Sequence, residues 1–259
     1  MKKTLIVGNW KMHLNTQAAS LLVKRLDDHI KTHRNIEVVL APNMLVLQPI
    51  SHEIHGRKFG LAAQNAYSVD EGAYTGEVSF TMLRELVDYV IVGHSERRIY
   101  FSESNDMIRD KIQAAIRNEI SPILCVGETK QERSLGETKR VIHDQVTTAL
   151  ANLTSEEIDK VVIAYEPVWA ISTFQGELAK PDDIEPIFEQ IRETIADLYG
   201  KQVSEDLRLL YGGSVTADTV SGYLNVRGCD GALVGGASIN YKEFSGIVDK
   251  ALALRNKVK

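Results

Sequence analysis

Glu166, His94 and Lys11 each lie within a few residues of the end of a short apolar run. A carboxylate, an imidazole and an ammonium together suit proton abstraction next to a carbonyl. The three groups would act as a base, a proton donor to oxygen and a fixed positive charge for the developing enediolate. Each residue alone is as easily structural, so the hypothesis depends on whether the fold brings the three together.

Eight short apolar runs divide the chain, and their continuous apolarity is typical of strands buried on both faces. The runs are residues 5–7, 38–41, 59–63, 89–92, 123–126, 161–165, 207–210 and 232–234. Between them lie amphipathic segments that predict helices, most clearly at residues 17–30, 106–118, 138–149, 183–198 and 243–254.

Alternating strands and helices indicate a parallel sheet, because each parallel connection requires a crossover. Eight units over 259 residues predict a single α/β domain, a (β/α)₈ barrel spanning residues 1–259. The alternative is an open doubly wound sheet. The glycine-rich fingerprint of that fold is absent, because Gly8 stands alone before Asn9 after the first run.

Chemistry in such barrels occurs where strands end. Polar residues and glycines after the runs are therefore the candidates: Asn9, Lys11, Gln64, Asn65, His94, Glu96, Glu128, Glu166, Ser214, Gly235 and Gly236. The last two strands are followed by Gly212-Gly213-Ser214 and by Gly235-Gly236. Glycine-rich turns at these two positions often bind phosphate through backbone N–H groups, so we expect a phosphorylated substrate.

Composition limits the other classes of function. A net charge of −5, with no basic stripe, gives no indication of nucleic-acid binding. The first apolar run stops at Gly8, too short for a secretion signal or a membrane span. Two cysteines cannot form a disulfide framework and suit the cytoplasm. No motif for a metal or a cofactor is found, so we expect neither.

Five motifs, in order along the chain, resemble the triosephosphate isomerase family. They lie at residues 9–11 (Asn-Trp-Lys), 93–98 (Gly-His-Ser-Glu-Arg-Arg), 164–171 (Ala-Tyr-Glu-Pro-Val-Trp-Ala-Ile), 211–214 (Tyr-Gly-Gly-Ser) and 233–238 (Leu-Val-Gly-Gly-Ala-Ser). The resemblance implies interconversion of dihydroxyacetone phosphate and glyceraldehyde 3-phosphate through an enediolate.

The resemblance also implies a role for each catalytic residue. Glu166 would carry the proton between the two carbons, and a neutral His94 would polarise and protonate the substrate oxygens. Lys11 would supply positive charge, Asn9 would fix polar groups around the substrate, and Glu96 would contact the lysine.

By the same resemblance, Ser172, Ser214, Gly235 and Gly236 would hold the phosphate, and Ile171 and Leu233 would form an apolar clamp over the base. Gln64-Asn65 and the loop at residues 72–77 resemble the family's dimer loop, whose tip, Thr75, would enter the active site of a second copy. A homodimer is therefore expected.

One segment departs from the family pattern. Where the family reads Ile-Gly-Thr-Gly-Lys in the lid that closes over phosphate, this chain reads Ile-Ser-Thr-Phe-Gln-Gly-Glu at residues 171–177. The simplest alignment makes Phe174-Gln175 an insertion. Two alternatives stay open: an isomerase of another ketose phosphate, such as a tetrulose phosphate, and a barrel that binds a sugar phosphate without catalysis.

Overall fold

Eight parallel strands close into a barrel in the computed structural model, which describes residues 2–31, 33–54, 58–171 and 178–257. Each strand pairs with its neighbour in the sequence, and β1 also pairs with β8. The strands are β1 (Thr4–Asn9), β2 (Ile36–Ala41), β3 (Gly60–Ala63), β4 (Tyr89–Val92), β5 (Ser121–Val126), β6 (Val162–Tyr165), β7 (Arg208–Tyr211) and β8 (Gly231–Val234).

Helices connect the strands and cover the barrel. They are α1 (Thr16–His29), α2 (Met44–Glu53), α3 (Phe80–Leu83), α4 (Ser95–Tyr100), α5 (Asn105–Arg117), α6 (Lys130–Ser134), α7 (Thr138–Leu150), α8 (Ser155–Ile158), α9 (Pro181–Tyr199), α10 (Lys201–Asp206), α11 (Val220–Leu224) and α12 (Tyr241–Lys257). Among the described residues, no helix combines the length and apolarity needed to cross a membrane.

The apolar runs are continuous because both faces of each strand are buried. Leu5 and Val7 pack inside the barrel, whereas Ile6, between them, packs in the layer beneath the helices. Two apolar layers therefore form, one within the barrel and one around it, as a closed parallel sheet requires. The prediction of a (β/α)₈ barrel is confirmed.

The segment that forms α2, which contains Pro49, is not among those that predict helices most clearly. Proline lacks a backbone N–H and usually interrupts a helix, so the sequence of this segment argues against the helix that forms. The helix forms because Val46, Leu47 and Ile50 bury one face against the barrel. Tertiary packing outweighs the local cost of the proline here.

A polar cluster, the Glu37 cluster, lies near the amino ends of three strands. It consists of Glu37 of β2, Tyr89 of β4 and Arg208 of β7. The Tyr89 hydroxyl donates to Glu37 Oε1 (2.6 Å), and Arg208 donates to Glu37 Oε2 (2.7 Å) and to the Tyr89 oxygen (2.7 Å). It is at the end of the barrel opposite the residues expected to do chemistry.

Candidate active site

Glu166 follows β6 with its carboxylate buried at the mouth of the barrel. Its backbone N–H donates to Val126 O (2.7 Å), which extends the pairing of β5 with β6 by one residue. Gly127 makes this approach possible, because a Cβ there would lie 1.8 Å from the Glu166 carbonyl oxygen. Glu166 Oε2 accepts the N–H of Ser95 (3.0 Å). The backbone of Glu166 is therefore fixed to β5, and its carboxylate is held by the backbone N–H of Ser95.

His94 lies immediately before α4, after Gly93, whose φ of 72° reverses the chain at the end of β4. The imidazole Nδ1 accepts the backbone N–H of Glu96 (3.2 Å). A nitrogen that accepts a hydrogen bond carries no hydrogen, so we assign the neutral tautomer with its hydrogen on Nε2. Nε2 lies 3.1 Å from Glu166 Oε1. The base and the proton donor thus face each other across the mouth.

Lys11 has a φ of 50°, an uncommon backbone conformation for a residue with a side chain. Two amide side chains hold it there: Asn9 Oδ1 accepts the Lys11 N–H (3.0 Å), and Gln64 Nε2 donates to the Lys11 carbonyl (2.8 Å). The ammonium contacts Glu96 Oε1 at 2.6 Å. Backbone strain at a functional position is common where neighbouring groups enforce it.

Backbone N–H groups line the side of the mouth formed by β7 and β8. Within the described part of the chain, the N–H groups of Gly213, Ser214, Gly235 and Gly236 donate to no other residue. The Ser214 hydroxyl donates to Ala170 O (3.0 Å), so the donor that Ser214 offers is its backbone N–H. Unpaired N–H groups at glycine-rich turns suit an anion such as phosphate.

These groups surround one cavity of about 370 Å³. Its walls include Asn9, Lys11, His94, Glu166, Ile171, Ser214, Leu233, Gly235 and Gly236. Ile171 and Leu233 are buried and supply apolar wall beside the base. Glu96 lines an adjoining cavity of about 350 Å³, which shares Asn9, Lys11 and His94 with the first. The space fits a small phosphorylated molecule, with positive charge and N–H donors on one side and the base on another.

Comparison with known proteins agrees with this geometry. The family model for triosephosphate isomerase matches residues 4–251. Proteins named triosephosphate isomerase are similar over nearly their whole length: that of Caldanaerobacter subterraneus subsp. tengcongensis is 45% identical, covering 96% of this chain and 100% of its own. Those of Carboxydothermus hydrogenoformans and Clostridium tetani are each 43% identical, covering 96% of this chain and 98% and 97% of their own.

The chain belongs to the triosephosphate isomerase family. The family predicted from the five motifs is thereby confirmed, and membership makes the chain an isomerase.

Two predictions about this site are not tested by the described residues of this chain. Ser172 and the insertion at Phe174-Gln175 lie outside the described residues. Thr75 is exposed and lines neither cavity of this chain. Within the described ranges, no group of three or more histidine, cysteine, aspartate or glutamate side chains could hold a metal ion.

Two residues of the site, Gly127 and Arg98, had no role predicted from the sequence, and Gln64 had been predicted only as part of the dimer loop. Gln64 fixes the Lys11 carbonyl, and Gly127 admits the Glu166 backbone. Arg98 donates to Gly93 O (2.8 Å) and Cys125 O (3.1 Å), tying the His94 turn to β5. A glycine directly after an apolar run was a usable signal for Gly127. Contacts between distant parts of the chain, such as that of Gln64, leave no local pattern.

Proposed function

We propose that the protein interconverts dihydroxyacetone phosphate and D-glyceraldehyde 3-phosphate, with no metal or redox cofactor. The observation that carries the proposal is the meeting of Glu166, neutral His94 and Lys11 at one cavity. The names of the relatives, all triosephosphate isomerase, support the choice of substrate.

Each residue has a defined role in the proposed reaction. The Glu166 carboxylate removes a proton from the carbon next to the carbonyl, while His94 Nε2–H donates to the carbonyl oxygen. Lys11 stabilises the negative charge of the enediolate. His94 then recovers its hydrogen from the neighbouring hydroxyl, and Glu166 returns the proton to the adjacent carbon. Asn9 holds the Lys11 backbone, and Glu96 holds the ammonium.

Phosphate binding is assigned to the N–H groups of Gly213, Ser214, Gly235 and Gly236, with Ser172 completing the set by resemblance to the family. Lys11 adds charge on this side, since its Nζ lies 3.8 Å from where a Cβ on Gly235 would be. The phosphate anchors the sugar so that its reacting carbons face Glu166. Ile171 and Leu233 exclude water beside the base.

The decisive experiment measures kcat/KM for D-glyceraldehyde 3-phosphate and for a four-carbon ketose phosphate, before and after treatment with EDTA. We expect efficient triose turnover that EDTA does not change. A clear preference for the four-carbon substrate would contradict the triose assignment while leaving the proton chemistry intact. Loss of activity with EDTA would contradict the metal-free mechanism, and no turnover would favour a binding barrel.

The role of Glu166 is tested with Glu166→Asp. The shorter side chain withdraws the carboxylate by about one methylene, and misplacement by roughly 1 Å can cost on the order of 10²-fold in rate. We expect kcat to fall by about that factor with little change in KM. Glu243→Asp is the matched control, because the Glu243 carboxylate lines the same cavity but accepts its hydrogen bond from the Ala217 N–H and makes none with His94. Equal kcat values for the two variants would exclude Glu166 as the base.

We further propose a homodimer in which Thr75 enters the second copy's cavity. Large apolar side chains of the second cavity are exposed, including Met12 (93% exposed) and Phe101 (62%), and Leu45 (76% exposed) directly follows Met44 in the cavity wall. Sedimentation of Leu45→Glu should show monomers, whereas the control Leu135→Glu, at an exposed leucine elsewhere, should stay dimeric. A monomeric wild type would refute the assembly.

The remaining expectations follow from the family: a single-domain enzyme over residues 1–259, located in the cytoplasm and acting in glycolysis and gluconeogenesis, without nucleic-acid or membrane partners. Cys125 and Cys229 support a reducing compartment, because both are buried and free. Fractionation of the source cells tests the location directly.

A further inference from the structure

Gln145 is a buried glutamine of α7, on the face of the helix that packs inwards. The other buried residues of this helix are all apolar: Val141, Ile142, Val146, Ala149 and Leu150. A side-chain amide taken out of water costs free energy unless hydrogen bonds replace those it made to water. An amide at this position therefore requires partners inside the protein.

Both ends of the Gln145 amide bind one residue at the mouth of the barrel. Its Oε1 accepts the Gly127 N–H (2.8 Å), and its Nε2 donates to the Gly127 carbonyl (3.1 Å), both in buried hydrogen bonds. Gly127 follows Val126, the last residue of β5. Gln145 thus gives Gly127 the donor and the acceptor that a neighbouring strand gives to residues within a sheet.

Gly127 in turn touches the backbone of the base. A Cβ on Gly127 would lie 1.8 Å from the Glu166 carbonyl oxygen and 2.7 Å from its carbonyl carbon. The Glu166 N–H donates to the carbonyl of Val126, directly before Gly127 (2.7 Å). The position of Glu166 relative to β5 therefore depends on where the Gly127 backbone is held, and Gln145 holds it from the helical layer.

We propose that Gln145 is a positioning residue for the base: by binding both polar groups of Gly127 from α7, it keeps the Glu166 carboxylate at its place opposite His94. The inference rests on the proposed isomerase function and deepens it. Gln145 lines neither cavity of the site, so it acts through Glu166 and not on the substrate. Such supporting contacts matter, because misplacement of a catalytic group by roughly 1 Å can cost on the order of 10²-fold in rate.

The test compares Gln145→Met with Gln113→Met. Methionine is close to glutamine in length, but it has no N–H and its sulfur accepts only weakly. Gln113 is the matched control, because its Nε2 also donates to a backbone carbonyl, Ala151 O (3.2 Å), directly after the end of α7. Gln145→Glu is a milder variant, which keeps an acceptor for the Gly127 N–H and serves if the methionine prevents folding.

For each variant we would measure Tm, kcat and KM on D-glyceraldehyde 3-phosphate, and the isotope effect on kcat with deuterium at C2, from which Glu166 takes the proton. We expect Gln145→Met to lower kcat by about tenfold with little change in KM, because a shift of Glu166 by roughly half an ångström costs about the square root of the loss for 1 Å. The isotope effect should rise, because proton removal then limits a larger share of turnover.

The remaining variants show whether Gln145 acts through the base. Gln145→Glu should give a smaller loss of kcat, again with a raised isotope effect, whereas Gln113→Met should change neither quantity. In a Glu166→Asp background, where the carboxylate is already displaced, Gln145→Met should cost less than it does in the wild type. Such non-additivity is the mark of two residues that act on one geometry.

Wild-type kcat in a folded Gln145→Met or Gln145→Glu protein would overturn the inference. A loss of kcat with an unchanged isotope effect would also overturn it, because a merely structural role lowers the amount of folded enzyme and not the rate of proton removal. Fully additive losses with Glu166→Asp would show that Gln145 acts independently of the base. Failure of the proposed function is distinguishable, because the wild type itself would then show no triose turnover.

Discussion

Replacing Gly212 with alanine should displace the catalytic carboxylate while leaving the barrel folded. A Cβ at this position would lie 2.8 Å from Glu166 Cγ, where an ordinary van der Waals contact begins at 3.4 Å. The Glu166 side chain must therefore shift by roughly 0.6 Å. The Tyr165 carbonyl oxygen, 3.3 Å from the same Cβ, limits relief from the other side.

The expected loss follows from this displacement. If misplacement by about 1 Å costs on the order of 10² in rate, a shift of roughly 0.6 Å costs about tenfold or somewhat more. We expect kcat for D-glyceraldehyde 3-phosphate to fall by about 10- to 30-fold. KM should change less, because the N–H donors assigned to phosphate belong to other residues. The φ of Gly212 lies outside the left-handed region, so the alanine itself adds no backbone strain.

Gly222→Ala is the matched control. Among the described residues outside its own helix backbone, its Cβ would meet only Pro181 Cγ within 4 Å, at 3.7 Å, which is an ordinary van der Waals contact. Steady-state kinetics and thermal unfolding of both variants separate an effect on the base from an effect on folding. A Gly212→Ala enzyme with wild-type Tm and wild-type kcat would refute the reasoning, because the carboxylate would have tolerated the displacement.

The fold was predictable from the sequence because strands buried on both faces consist of consecutive apolar residues, a pattern that is visible locally. Val162–Tyr165 is a continuous apolar run, each of the other strands contains such a run, and α5 and α9 carry an apolar stripe at helical spacing. Short helices such as α3 and α8 contain only four residues each, too few to show the helical spacing of apolar residues in the sequence.

The candidate site was predictable in its residue types but not in its geometry. Glu166 and His94 stand out because they follow strands, whose carboxyl ends meet when the barrel closes. The contact between Lys11 and Glu96 joins residues 85 positions apart, and the tautomer of His94 depends on one backbone N–H. Distances of this kind are set by closure of the whole barrel, so no local pattern could contain them.

Two further predictions concern stability. Arg208→Met leaves Glu37 and the Tyr89 oxygen without their cation, so we expect urea unfolding to show a loss of about 1–3 kcal/mol, with kcat/KM unchanged because the Glu37 cluster lies at the far end of the barrel. A loss of activity would contradict that separation. The last prediction concerns Glu128, which is fully buried and accepts the Trp169 Nε1–H at 2.8 Å. Burial raises the pKa of Glu128 above the ordinary 4.5, so the folded protein binds this proton more tightly than the unfolded chain does. The contribution of this group to stability is therefore greatest below about pH 4.5 and is lost as the pH rises through the folded pKa. Glu128→Gln does not titrate, so its stability relative to wild type should improve between about pH 4.5 and neutrality. Urea unfolding of both proteins across that range measures the difference, and a difference that stays constant or moves in the opposite direction would show that burial is not what controls this carboxyl group.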